Sequence, residues 1–315
     1  MSELSIHLVS FSEHGGDWSS LLRTAEIADA AGVDRVVVSD HVAFGERLDA
    51  YSRPELGGTV GGQQPTGPDG HWLEPVVLLA HLAARTERVR LGTAILLAAL
   101  RTPAVLAKEL ATLDVLSGGR LDVGVGVGWQ AEEYEACGLD FAGRGALLDE
   151  CLEICHALWT EPVARHDGPS ASFERIHQMP KPLQASGLDL GGLPIWVGGR
   201  VTPRTTARLV RFGHGWIPWG EHIQDPAPGA RMLRQAFEDA GRDPAVLRVQ
   251  GRVALTTDDD GVVDVEASLD ALERAADGGV DDIRLQHRWG RDADAELDLL
   301  GGLVEGFRRR RGTAG

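Results

Sequence analysis

The run Glu26-Ile27-Ala28-Asp29-Ala30-Ala31-Gly32-Val33-Asp34-Arg35-Val36-Val37-Val38 reads as a helix end, a glycine that turns the chain back, and a strand. The same signals return at Glu273-Arg274-Ala275-Ala276-Asp277-Gly278-Gly279-Val280-Asp281-Asp282-Ile283-Arg284-Leu285, and more loosely at Arg211-Phe212-Gly213-His214-Gly215-Trp216-Ile217. Glycine past a helix end supplies the positive-φ residue that caps it. A short β-branched run after it reads as a strand buried on both faces. Working outward, strands are expected near Leu4–Ser10, Arg35–Ser39, Val89–Ala94, Leu121–Val127, Pro194–Val197, Gly215–Ile217, Leu247–Leu255 and Asp282–Leu285. Helices are expected between them at Trp18–Ala31, Pro75–Thr86, Pro103–Leu116, Ala142–Trp159, Pro203–Phe212, Ala230–Ala240, Val265–Ala276 and Asp294–Arg308. This alternation predicts an α/β fold, a (β/α)8 TIM barrel, as one domain over residues 1–315. A doubly wound open sheet is the alternative that alternation alone leaves open.

Two interruptions break the rhythm. Residues 41–71 follow strand two and contain Gly57-Gly58-Thr59-Val60-Gly61-Gly62; residues 160–193 precede strand five. Loops this long are functional lids, disordered segments or tolerated surface insertions. The first begins at the C-terminal end of a strand, where barrel active sites sit. The chain carries 47 acidic and 31 basic side chains, a net charge of −16. Such a surface repels phosphate backbones and anionic lipid, which argues against nucleic-acid and membrane-surface roles. An anionic ligand would need a local basic or backbone-amide site. Cys137, Cys151 and Cys155 are odd in number, and two sit four apart on an expected helix. That points to core packing and a reducing, cytoplasmic compartment rather than a disulfide framework. The start MSELSIHLVSF lacks the regions of a signal peptide, and no segment reaches the roughly 18 apolar residues of a membrane span.

The strand ends carry the candidate chemistry. Strand two runs into Ser39-Asp40-His41. His41 at the rim would act as general acid or base, or as a hydrogen-bond donor; Asp40 would bond a ligand or cap the backbone. A capped strand end is the bland alternative. In strand four, Gly124, Gly126 and Gly128 alternate on one face, which would let a planar ring approach the backbone. Small residues filling the barrel interior would look the same, and the spacing fails the dinucleotide fingerprint. Strand five ends in Gly198-Gly199-Arg200 just before a helix at Pro203. Free N–H groups and the helix dipole there suit an anion, with Arg200 and Arg204 adding charge. Strand three looks like a plain buried strand whose end is open to a bulge. Trp129, Trp216 and Trp219 gather near strand ends, as substrate walls or as closure of the barrel top. Strand one carries a lone His7, and no histidine or cysteine cluster has metal-site spacing.

Several blocks together resemble the luciferase-like monooxygenase superfamily. They are Val89-Arg90-Leu91-Gly92-Thr93, Arg101 to Asp114, Leu116-Ser117-Gly118-Gly119-Arg120-Leu121, Gly124 to Trp129, Glu132-Glu133-Tyr134, Ser39-Asp40-His41, and Gly198-Gly199 with His214-Gly215-Trp216-Ile217. Within it the chain looks most like the branch using the deazaflavin coenzyme F420. The resemblance implies that Asp40 contacts the deazaflavin and that His41 lies at the reacting face. It implies a cis peptide at Ala94–Ile95 as a backstop behind the ring. It places Val127 and Gly128 beside the ring, next to the Gly126 of the stripe, and Gly198, Gly199, Val201 and Thr202 about the cofactor phosphate, next to Arg200. Trp129 stands where sugar-phosphate dehydrogenases of this branch carry a Glu, and Leu97 where they carry a hydroxyl. A small apolar or aromatic substrate against Trp129 and Trp219 therefore suits this chain better than a sugar phosphate. The implied chemistry is hydride transfer, with the protein binding, orienting and shielding the ring. Alternatives are an FMN-dependent monooxygenase served by a separate flavin reductase, a non-catalytic flavin-binding protein, and a metal-dependent hydrolase or isomerase on the same fold. The family also implies a homodimer.

Overall fold

A computed structural model describes residues 2–289 and 292–312. The eight expected strands form one closed parallel barrel in sequential order. They are β1 Glu3–His7, β2 Arg35–Val38, β3 Arg90–Thr93, β4 Leu121–Val125, β5 Ile195–Gly199, β6 Gly215–Pro218, β7 Arg248–Ala254 and β8 Asp282–Gln286. The helices are α1 Ser19–Ala31, α2 Pro75–Ala83, α3 Pro103–Leu116, α4 Ala131–Ala136, α5 Arg144–Thr160, α6 Pro203–Phe212, α7 Ala227–Asp239, α8 Val265–Asp277 and α9 Ala293–Arg310. The short α4 is an addition to the sequence reading. Gly32 closes α1 with φ +80°, and Gly279 plays that part after α8 with φ +86°. The chain thus reverses at both copies of the quoted unit.

Strand parity sorts the core. Ile6, Val36, Leu91, Val123, Val197 and Ile283 are buried on the outward faces, against the helices. The interior is polar at its base. There Arg35 reaches Asp122 at 2.7 Å, Asp282 at 2.5 Å and Glu3 at 2.8 Å, and Arg90 reaches Asp122 at 2.7 Å. The Arg35 guanidinium lies 5.0 Å from the centre of the Trp196 ring. These contacts tie six of the strands together across the N-terminal end.

One glycine is fixed by backbone proximity. A Cβ on Gly124 would lie 2.1 Å from the Thr93 carbonyl oxygen of the neighbouring strand. Gly124→Ala is therefore expected to destabilise by about 1–3 kcal/mol. Gly301→Ala, in open space on α9, is expected to stabilise by about 0.5–1 kcal/mol. Urea denaturation of both variants checks the contrast.

The two insertions lie at opposite ends. Residues 41–71 fold over the C-terminal mouth as two 3-10 turns, Leu48–Ser52 and Pro54–Leu56. Residues 160–193 contain an antiparallel hairpin, Ala164–Asp167 with Ser172–Ile176, where an irregular loop was expected. From it the chain runs under the barrel: Gln184 bonds Arg90, Asp114 and the Leu121 carbonyl. Cys137, Cys151 and Cys155 are free thiols, the last two buried on α5.

Candidate active site

Interior positions of a filled barrel would be buried. At the C-terminal ends of these strands many are not. His7, Ser39, Ala94, Ile95, Val127, Gly128, Gly198 and Gly199 are half-buried, and Arg252, Ala254 and Gln286 are exposed. The accessible ring lies at the end of the barrel where barrel chemistry is performed.

The Ala94–Ile95 peptide is cis. It is held by Ala94 N–H donating to the Val38 carbonyl at 2.8 Å and Leu96 N–H donating to the Gly124 carbonyl at 2.7 Å. The Ile95 side chain corrects the expectation for the glycine stripe. A Cβ on Gly126 would lie 2.4 Å from Ile95 Cδ1, and one on Gly198 would lie 2.8 Å from Ile95 Cγ2. Leu97 similarly occupies the space above Gly128, whose φ is +67°. The missing side chains make room for Ile95 and Leu97, so the surface offered to a ring is the half-buried Ala94–Ile95 edge. Gly126 lies buried behind it.

Asp40, expected to contact the cofactor, is engaged within the protein. Its side chain is fully buried. Oδ2 accepts from Leu97 N–H at 2.8 Å and from Arg101 at 2.6 Å, and Oδ1 accepts from Arg101 at 3.1 Å. Burial opposes the charge of Arg101, but Asp40 and Glu74 outweigh it and raise the guanidinium pKa above its ordinary value. With both oxygens engaged, Asp40 pins the chain that follows Ile95.

His41 sits in an aromatic enclosure. Its ring centre is 4.3 Å from Phe44, 4.9 Å from Trp72 and 5.8 Å from Trp129. Its Nδ1 lies 3.3 Å from Oε2 of Glu133, which is fully buried on α4. Glu133 also accepts from Val42 N–H at 2.5 Å. A carboxylate only accepts, so Nδ1 is assigned the proton, and Nε2 is left for Gln64 at 3.4 Å and the enclosure. Tyr134, next on α4, donates to the Val127 carbonyl at 2.8 Å. One short helix therefore positions both His41 and the end of β4. The motif Glu132-Glu133-Tyr134 was visible in sequence; the partnership of Glu133 with a histidine 92 residues away was not.

The roof comes from the first insertion. Tyr51 lies 5.2 Å from Trp129 and 6.3 Å from Trp219. Trp219 Nε1 donates to the Gly57 carbonyl at 3.0 Å. Trp129 is buried, and its Nε1 has no partner among the described residues. Trp216 is a correction: it points outward, against Gly229 of α7, and donates to the Gly199 carbonyl at 2.9 Å.

The proposed anion turn, Gly198 to Thr202, is half-buried to exposed, with Gly199 at φ +152°. Thr202 caps α6 by accepting from Thr205 N–H at 3.2 Å. Its arginines do not converge as expected. Arg200 lies 3.5 Å from Glu221, and Arg204 covers Gly145 at the start of α5. Backbone amides, more than guanidinium charge, define this turn.

The opposite wall is polar. His7 Nε2 lies 2.8 Å from Ser39 Oγ. Burial, with Arg284 and Arg252 nearby, pushes the His7 pKa down to about 3. An NMR titration is expected to show a neutral His7 ring until about pH 3; protonation at the ordinary value of about 6.5 would contradict this. The sign follows: the unfolded chain takes up that proton first, so stability falls as pH drops below about 6.5.

The Ala94–Ile95 edge, His41 and the aromatic roof all lie at the C-terminal mouth of a closed parallel barrel. The chain belongs to the luciferase-like monooxygenase family, whose model matches residues 4–302. It is 31% identical over 283 residues to an uncharacterised protein of Mycobacterium tuberculosis, covering 88% of this chain and 90% of that protein. It is 32% identical over 253 residues to a phthiodiolone/phenolphthiodiolone dimycocerosates ketoreductase of Mycobacterium kansasii, covering 78% of this chain and 65% of that one. A solved F420-dependent secondary alcohol dehydrogenase, in complex with an F420–acetone adduct, shares the fold. Its TM-score is 0.73 at 16% identity, over 98% of this chain and 100% of that chain. The protein is thus an enzyme of the oxidoreductase and monooxygenase class. Among the described residues, no helix is long and apolar enough to cross a membrane.

Proposed function

We propose that the protein moves a hydride between coenzyme F420 and a small apolar or aromatic substrate that reacts at a carbonyl or alcohol carbon. The observation that carries this reading is His41, oriented by buried Glu133 inside an aromatic enclosure. Reducing a carbonyl needs a proton at oxygen as well as a hydride at carbon, and oxidising an alcohol needs a base for that proton. His41 Nε2 would take that proton when an alcohol is oxidised and return it when a carbonyl is reduced, with Glu133 holding the ring through Nδ1. The ketoreductase relative supports carbonyl chemistry.

The residues present fit the cofactor. Ala94, Ile95 and Val127 would lie against the ring, with Gly126 behind Ile95 and Gly128 behind Leu97. Gly198, Gly199, Arg200, Val201 and Thr202 would hold its phosphate at the start of α6. When bound, the deazaflavin supplies or accepts the hydride at one ring carbon. Trp129 and Trp219 would wall the substrate, and Tyr51, Trp129 and Trp219 together would exclude water. Exposed Val77 on α2 and Val105 and Leu116 on α3 give the proposed homodimer an apolar surface. A second reading, an FMN monooxygenase with a separate reductase, is favoured by the family's own description.

The test is turnover. Oxidised F420 is offered with secondary alcohols, reduced F420 with ketones, and reduced FMN with oxygen. Change in the F420 spectrum with substrate turnover is the expected result. Oxygen consumption with FMN, and none of the F420 reactions, would replace this reading with the second.

A further inference from the structure

Strand parity also places charge at the mouth. Arg252 of β7 pairs in register with Arg284 of β8, and Ala254 with Gln286. These are the same interior positions that hold Asp282 and Gln250 lower in the barrel. Arg284 is satisfied inside the protein, 3.2 Å from Asp282 and 3.4 Å from Ser5. Arg252 is not. Among the described residues no carboxylate or carbonyl pairs with it. The nearby groups are themselves basic or phenolic: His7, Arg284 and Tyr51.

Yet Arg252 is exposed, although its strand lies within a closed barrel. It is a cation on an interior-facing strand position at the barrel mouth, reachable from solvent, and the surrounding protein pulls its pKa below the ordinary value. Its exposure leaves the guanidinium's donors open to an arriving anion. The surface of this strongly acidic chain supplies carboxylates freely elsewhere, and the mouth supplies none to Arg252. The roof beside it is aromatic: Tyr51 touches Trp129, whose ring lies 5.8 Å from that of His41. Cation, aromatic wall and proton-active residue thus follow one another along the barrel mouth.

We propose that Arg252 receives an anionic oxygen of the substrate, so that the substrate class is an apolar or aromatic carboxylate. Its anion would be anchored on β7 and its apolar body lie under Tyr51 and Trp129, toward His41. The planar guanidinium matches a carboxylate through two parallel hydrogen bonds. This rests on the reading of the barrel mouth as the substrate site.

Cinnamate and cinnamamide differ in charge and little in shape, so they serve as probes. Calorimetric titration of wild type, Arg252→Gln and Arg252→Lys, each with and without F420, separates the possibilities. Wild type is expected to bind cinnamate at least about tenfold more tightly than the amide. Arg252→Gln should abolish the preference and Arg252→Lys retain part of it, with F420 affinity alike in all three. No cinnamate preference in wild type, or a preference that survives in Arg252→Gln, would overturn the proposal. So would a loss of F420 affinity in Arg252→Gln with the cinnamate preference kept, since the charge would then serve the cofactor. Cinnamate binding without F420 binding would count against the cofactor reading and leave the anion site standing.

Discussion

His41→Asn is expected to lower kcat about 10²–10⁴-fold, the usual contribution of a positioned general acid or base, with F420 affinity nearly unchanged. Asparagine keeps a hydrogen-bonding group near Glu133 and cannot exchange a proton at neutral pH. Both kcat and kcat/KM should fall, because the proton is in motion only in the transition state. Glu133→Gln removes the charge that orients and stabilises the imidazole while leaving an oxygen for Val42 N–H, which Glu133 now accepts at 2.5 Å. Its kcat should fall less, by at least about 10-fold. Glu133 acts through His41, so the double variant should be no slower than His41→Asn alone. Wild-type kcat and kcat/KM in His41→Asn would remove the histidine from the mechanism.

Asp122→Asn carries the largest expected loss of stability, about 3–5 kcal/mol. Asp122 is buried and receives Arg35 and Arg90, each at 2.7 Å. Burial opposes its ionisation, but the two guanidiniums outweigh that and hold the carboxyl far below its usual range. Asparagine leaves both arginines with one counter-charge fewer in a site water cannot refill. The sign with pH is fixed by the direction of the shift. A lowered carboxyl pKa contributes stability that is complete above the unfolded value of about 3.9 and is lost as pH falls below it. Wild type and variant should differ most in urea denaturation near neutral pH, and the gap should narrow below about pH 4.

The barrel was legible because its signals are local. Gly32 and Gly279 end helices by backbone conformation, and Val36-Val37-Val38 is a strand whatever packs on it. His41 was legible as the polar end of such a strand. The cis peptide at Ala94–Ile95 came only through family resemblance, since nothing in an apolar run announces it. At Gly126 the spacing shows where a side chain is missing, not which neighbour fills the gap. Ile95 lies 31 residues away and takes the space. The partner of Asp40 was illegible for a similar reason: Arg101 is brought to it by the turn after β3. The polar wall had a signal that went unused. Ser5 and His7, Gln250 and Arg252, and Asp282, Arg284 and Gln286 alternate with apolar residues, a two-residue period that marks the inside of a barrel.

The most direct test of the account is a titration of the purified protein with oxidised F420 and, in parallel, with FMN, followed by tryptophan fluorescence. Trp129 and Trp219 stand over the mouth, so a ring bound there should quench them. The account predicts saturable quenching by F420, weaker or absent quenching by FMN, and loss of the F420 signal when the turn before α6 is blocked by Gly199→Val. Binding of neither cofactor, or F420 binding unaffected by that substitution, would contradict it.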